Sequence, residues 1–252
     1  MIDKIIVTGC SHSTGIEIVD HLIRYPSEKN RRSAIWQWYR KNIHNHNKVS
    51  IEELDKKSNE MFHSIERQHS WPALLEKETR ISVINLSVIG GSVGRNLIEF
   101  SNYCKENKIK DTTIAIHQLP SLARFYMRFS NHRVNILPNN IDNLGYDKKY
   151  FKKDIERVKE RYKMIIEKDI KNNYIKKHYH RCIERIKKIG QKHGIIFYFI
   201  SLNNTNIHID NILIEDFDKF RDGYKKGILG HPVDTTFNKD IVDIIVKTIK
   251  LI

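Results

Sequence analysis

Four short apolar runs stand out along the chain, Ile5–Val7, Ile81–Leu86, Thr113–Ile116 and Ile195–Ile200, with a weaker one at Ile209–Ile214. Runs of this length bounded by polar residues read as buried strands. Between them the period changes. Ile16, Val19, Leu22 and Ile23 share one helical face after the first run, and Val93, Leu97, Phe100 and Cys104 share one after the second. Ile155, Val158, Tyr162 and Ile165 form a stripe in a polar stretch, Ile183, Ile186 and Ile189 continue one, and Ile241, Ile244, Ile245 and Ile249 close the chain. Such alternation predicts an α/β protein with three layers, α/β/α, around a central parallel sheet. In that architecture ligands bind beyond the carboxyl ends of the strands. The residues that follow each strand are therefore the ones to read for chemistry.

Two stretches interrupt the alternation. Residues from about 28 to 70 are polar, with SEKNRRS and HNHNK, and predict short helices and loops over one end of the sheet. Residues from about 146 to 192 are basic and predict a helical insertion, a hairpin broken near Asn172 and Asn173. Neither stretch carries a core of its own and there is no internal repeat, so residues 1–252 are expected to form a single domain. At 40% apolar and 29% charged residues the composition excludes a disordered polymer. No apolar run approaches the roughly 20 residues that cross a bilayer, so no membrane partner is expected. The opening MIDKIIVTG lacks a basic leader and a cleavage site, and no secretory signal is expected. Cys10, Cys104 and Cys182 are odd in number and widely spaced, which gives neither a disulfide framework nor a zinc signature. A reducing, cytoplasmic location is the expectation.

Charge adds a second theme. Lys and Arg number 44 against 30 Asp and Glu, a net charge of +14. Much of the excess lies between Asp147 and Lys192, with 17 basic against 7 acidic residues. The plain reading is a solvated helix face. The other is a surface in residues 147–192 that binds a polyanion or nucleic acid weakly. Phe151, Tyr162, Tyr174 and Tyr179 punctuate this stretch, but aromatics at helical spacing fit packing better than base stacking. His44, His46, His178 and His180 stand at i, i+2 spacing, which does not share a helix face, so exposed polar residues are expected there and not a metal site.

The first strand runs into Thr8-Gly9-Cys10-Ser11-His12-Ser13-Thr14-Gly15 and then a helix. A serine in such a turn sits where unpaired backbone N–H groups and the helix dipole favour developing negative charge. It suits a nucleophilic hydroxyl, and equally an N-cap at Ser11 or Ser13. A phosphate-binding P-loop requires Lys and Ser or Thr after the last glycine, where this chain has Ile16 and Glu17. The G-x-S-x-G elbow of α/β-hydrolases requires a glycine where Ser13 stands. The second strand ends in Asn85-Leu86-Ser87-Val88-Ile89-Gly90-Gly91-Ser92, whose paired glycines permit close backbone approach. The third is followed by His117-Gln118-Leu119-Pro120, and Gly230-His231-Pro232-Val233-Asp234 precedes the last helix.

Together these segments resemble the SGNH, or GDSL-type, hydrolases, and in particular the small variants of phage and bacterial genomes. GCSHSTGIEI is similar to the family's first block. SWPALLEKETRISVINLSVIGGS resembles the stretch leading into the second, where Trp-Pro begins a helix and Asn-Leu ends a strand. GHPVDTTFNKDIVDII resembles the closing His-Pro block and terminal helix. Order and approximate spacing agree over about 50 residues in three blocks, counted along the sequence. The resemblance implies a flavodoxin-like SGNH-hydrolase fold and an ester hydrolase with Ser11 as nucleophile, His231 as general base, and backbone N–H groups of Ser11 and Gly90 as the oxyanion hole, needing no metal or organic cofactor. Small-molecule or carbohydrate esters, acetyl esters among them, are the implied substrates. Departures are visible. Cys10 replaces the usual first-block Asp, Gln118 stands in for an oxyanion-hole Asn, and Ile228 occupies the place of the acid, leaving Asp222 or Asp234 to support His231. The alternative reading is a catalytically degenerate member of the fold that binds a polyanion through its basic helices.

Overall fold

The computed structural model describes residues 2–10, 37, 60–61, 63–88, 91–110, 112–122, 124–129, 132–136, 152–201, 209–224, 226 and 235–251. The strands are β1 (Lys4–Thr8), β2 (Ser82–Asn85), β3 (Thr113–Leu119), β4 (Phe125–Phe129), β5 (His132–Ile136), β6 (Ile196–Ser201) and β7 (Ile212–Ile214). Among the described residues the helices with both ends placed are α1 (Trp71–Thr79), α2 (Val93–Glu106), α3 (Lys152–Asn172), α4 (Tyr174–Lys192), α5 (Phe217–Asp222) and α6 (Thr235–Ile249). Five strands form one parallel sheet in the order β2-β1-β3-β6-β7, while β4 and β5 pair as a separate antiparallel hairpin. Helices cover both faces of the five-stranded sheet, so the chain is a three-layer α/β/α protein with the doubly wound strand order of flavodoxin-like folds. The expected helix around Ile16–Ile23 and most of the polar stretch 28–70 lie outside the described residues.

Alternation along each strand sorts side chains between two cores. Ile5, Val7, Ile114, Ile116 and Ile200 face α1, α5 and α6, where Trp71, Phe217, Phe237 and Ile241 complete the packing. Ile6, Ala115, Leu119 and Phe199 face α2 and α4, against Phe100, Tyr179, Ile183 and Ile186. Strands buried on both faces explain why the sequence shows continuous apolar runs there. Pro72 in the first turn of α1 and Ser92 at the N-cap of α2, whose Oγ accepts from the Arg95 N–H at 3.3 Å, set the helix starts.

The basic stretch divides into two parts with different jobs. Asn173, left-handed at φ 52°, breaks the helix, and the Asp169 carboxylate accepts from the Ile175 N–H at 2.7 Å across the break. α4 leads into β6 and packs on the sheet, so closely at Gly190 that a Cβ there would lie 2.9 Å from the Phe197 ring. α3 instead packs Val158 with Phe125 and Ile136 of the hairpin, a small satellite cluster. Truncating fully buried Ile186 to alanine is expected to cost about 2–5 kcal/mol. Truncating Ile170 of α3, which is 81% exposed, should change stability by less than about 0.5 kcal/mol. Chemical denaturation of the two variants checks this; equal losses would place α3 and α4 in the same core.

Candidate active site at the carboxyl rim of the sheet

Strand order reverses between β1 and β3, since β2 lies to one side and β6 and β7 to the other. The crevice at that reversal is the ligand position that the architecture itself supplies. Each wall of the crevice is fixed by backbone contacts. Beyond the end of β1, the Leu86 N–H donates to Val7 O at 2.8 Å and the Val88 N–H to Gly9 O at 3.3 Å, so the chain leaving β2 runs beside the chain leaving β1. The turn then closes through the Gly91 N–H to Val88 O at 2.8 Å. A Cβ on Gly91 would stand 2.8 Å from both Gly9 O and Val88 O, which explains glycine at this position.

Asn96 locks this turn to the next strand. It lies in the first turns of α2, buried, and its Nδ2 donates to the Gln118 carbonyl at 2.9 Å. From the α4 side, the Tyr179 hydroxyl donates to Pro120 O at 2.7 Å. Burial raises the pKa of that phenol well above its ordinary value, with the neighbouring Cys10 and Cys182 thiols adding and Arg124 opposing, so the hydroxyl remains a donor. On the other side of the sheet, the Asn238 Nδ2 of α6 donates at 2.7 Å to His69 O, immediately before α1. This bond ties the start of α6 to the segment that leads into α1.

Between the walls sits a buried polar pair. Thr8 and His117 are register partners on β1 and β3, and Thr8 Oγ1 lies 2.8 Å from His117 Nδ1. The hydroxyl donates when the ring proton is on Nε2 and accepts when it is on Nδ1. His117 is fully buried, edge-on to Phe100 and tilted against Phe199, and burial holds its pKa down at about 3. Nε2 has no hydrogen-bond partner among the described residues. A neutral imidazole whose shift comes from burial, with Thr8 on one nitrogen and aromatic rings around it, is a packing and alignment group for the strand ends.

Of the residues the sequence singled out, Ser11, Gly90, His231 and Asp234 lie outside the described residues. Their described neighbours in the chain, Cys10, Gly91 and the start of α6 at Thr235, do not. Gln118 is fully buried on the face shared with Ile116 and Ile200. Asp222 ends α5 at the surface with its carboxylate hydrogen-bonded to the Lys226 ammonium, which holds its pKa below the ordinary carboxylate value. Of the alignment residues, Thr8 and Tyr179 are visible in the sequence only as a turn residue and a packing aromatic, and Asn96 is passed over altogether. Asn96 has a signal: it is three residues after Val93 and four before Phe100, a polar side chain on the apolar face of its helix.

Among the described residues no cluster of three or more His, Cys, Asp or Glu is placed to hold a metal, and no helix is long and apolar enough to cross a membrane. Burial pushes the Cys104 thiol up to about 11, which keeps it protonated and unreactive at neutral pH. Comparison of the sequence with protein-family models and with curated proteins finds no match.

The His117 environment sets a pH dependence. Its folded pKa lies below the value near 6.5 of the unfolded chain, so protons bind the unfolded state preferentially in between, and stability falls as pH drops below about 6.5 towards 3. His117→Gln keeps a partner for Thr8 and has no proton to gain. The stability advantage of the native protein over this variant is expected to shrink by about 1.4 kcal/mol per pH unit between roughly pH 6 and 4, carboxylate effects cancelling in the difference. Denaturant melts across that range decide it; parallel curves would mean that His117 is not buried in neutral form.

Proposed function

We propose that the chain is a serine-dependent ester hydrolase of the SGNH type, acting on small-molecule or carbohydrate esters. The supporting observation is the joined pair of turns at the strand-order reversal: the Gly9 carbonyl and Gly91 are in backbone contact, one residue or two from Ser11 and Gly90. This is the arrangement the three-block resemblance requires of its first two blocks. The third is supported more coarsely, by the bond from Asn238 to His69, which holds the start of the last helix beside the Trp71-Pro72 helix.

In the proposed reaction the Ser11 hydroxyl attacks the ester carbonyl carbon while the His231 imidazole takes its proton. The oxyanion accepts hydrogen bonds from the N–H groups of Ser11 and Gly90, an interaction worth on the order of 2.7–4 kcal/mol per donor. Collapse expels the alcohol, which takes the proton back from His231. Water then attacks the seryl ester with His231 again as base, and a carboxylic acid leaves. Since Asp222 is engaged with Lys226, Asp234 is the acid assigned to orient His231. Gln118, whose backbone carbonyl accepts from Asn96, is the further candidate to support the oxyanion hole.

Fluorophosphonate labelling of the purified protein is expected to modify Ser11, and Ser11→Ala to lose both labelling and acetyl-ester turnover. His231→Ala should lower turnover by about 10²–10⁴ with its melting temperature kept. Equal turnover by the native protein and Ser11→Ala would falsify the assignment and favour a fold of this class without chemistry.

A further inference from the structure

The outer face of α4 carries a ridge of cations that the hydrolase reading does not use. Lys177, Arg181, Arg185, Lys188 and Lys192 recur at steps of four, four, three and four residues, and therefore lie along one side of the helix. All five are exposed, and none is ion-paired among the described residues. The single acidic residue of α4, Glu184, is 3.4 Å from Lys187, which also meets Asp210 at 3.3 Å. Lys187 is thus neutralised and the ridge is not. The charge is not spread evenly over the basic stretch: α3 holds 8 Lys and Arg against 5 Asp and Glu, α4 holds 7 against one.

A groove continues the ridge towards the neighbouring helix. Ser101, Asn102 and Lys105 of α2 face Arg185 and Lys188 of α4 across an open cleft of about 390 Å³. Hydroxyl and amide donors therefore stand beside three cations. His178, at the other end of the ridge, has its pKa lowered by burial and then by Arg181 and Arg185, a sign of the local positive field.

We infer that the α4 ridge and the α2–α4 groove bind double-helical DNA through its phosphate backbone, without reading its sequence. At about 1.5 Å per residue the ridge is roughly 22 Å long, the length of about six phosphates on one strand of a duplex. The ridge offers no stacking platform of the kind single strands use: Tyr179 is buried and bonded to Pro120 O, and Tyr174 stacks on His178 with Lys168 over its ring. A membrane-surface helix inserts an apolar face into the headgroups, and the apolar face of α4 is already committed to the sheet. The exposed large apolar side chains, Met164, Ile170 and Ile196, are on other elements.

Fluorescence anisotropy with a labelled duplex of roughly 20 base pairs, titrated at salt between roughly 50 and 200 mM, tests the inference. Native protein should bind with a steep inverse salt dependence. Arg181→Gln/Arg185→Gln/Lys188→Gln should weaken binding at least tenfold and reduce the log–log salt slope by about three, one for each phosphate that no longer meets a cation. Lys163→Gln/Lys168→Gln/Lys171→Gln on α3 removes the same charge and should leave affinity within about twofold, which separates a localised surface from the pull of net charge. Equal effects of the two triple variants, tighter binding of the single strand than of the duplex, or preferential binding to anionic phosphatidylserine vesicles would each overturn it. Circular dichroism verifies that both variants fold, and Ser11→Ala should bind DNA like the native protein, so failure here is distinct from failure of the hydrolase proposal.

Discussion

The parallel register of β1 against β3 is the constraint from which the candidate site follows. Once Lys4 pairs with Thr113 and Thr8 with His117, β1 ends at that level, β2 ends beside it at Asn85, and β3 runs two residues further along β6 to Leu119. The chain leaving β1 and the chain leaving β2 therefore turn side by side, with the end of β3 just above them. The buried bond between Thr8 and His117 is the last rung. It satisfies two polar groups that would otherwise be stranded among Phe100 and Phe199, where leaving one unpaired costs on the order of 1–3 kcal/mol. A register slip of one residue would turn Thr8 to the opposite face and replace it with an aliphatic neighbour.

The turns above that rung are held by main chain far more than by side chains. Gly9 O accepts from Val88 and lies against Gly91, so the approach is set by the missing Cβ. Asn96 and Tyr179 then fasten the end of β3 from α2 and α4, each to a carbonyl. Among the described residues this rim is held by main-chain contacts and by the side chains of Asn96 and Tyr179. Rigid support beneath loop-borne groups is what electrostatic catalysis requires, because donors must be in place before charge develops.

The sheet is legible in the sequence chiefly through β1 and β3, which are buried on both faces and show as apolar runs, and α2 and α6 because their stripes keep a helical period. The hairpin β4–β5 is not, although Phe125, Met127 and Phe129 alternate with Tyr126 and Arg128; an aromatic-rich segment of five residues reads equally well as part of a loop. The basic stretch is legible as helical, and paired asparagines mark its break at Asn173, but composition does not divide it into a crossover helix and a satellite. Only packing does that, and the telling residues, Tyr179 and Gly190, look ordinary in sequence. The alignment residues are harder still. Thr8 and His117 are 109 positions apart, and nothing local marks them as partners.

The composition of α4 also bears on why its ridge exists. Its inner face is held by burial of Tyr179, Ile183 and Ile186, and would be served as well by any soluble outer face. Like charges at i, i+3 and i, i+4 repel by about 0.2–0.5 kcal/mol per pair, so the four successive neighbours of the ridge cost the helix about 1–2 kcal/mol together. The adjacent α3 shows that this chain interleaves acids where a balanced surface suffices, with Asp154, Glu156, Glu160, Glu167 and Asp169 among its cations. The same device on α4 would relieve the repulsion at no loss of packing. A penalty confined to one helix, and to the side of it that faces solvent, is what an anionic partner would offset, since each phosphate bound removes the repulsion that the ridge carries when empty.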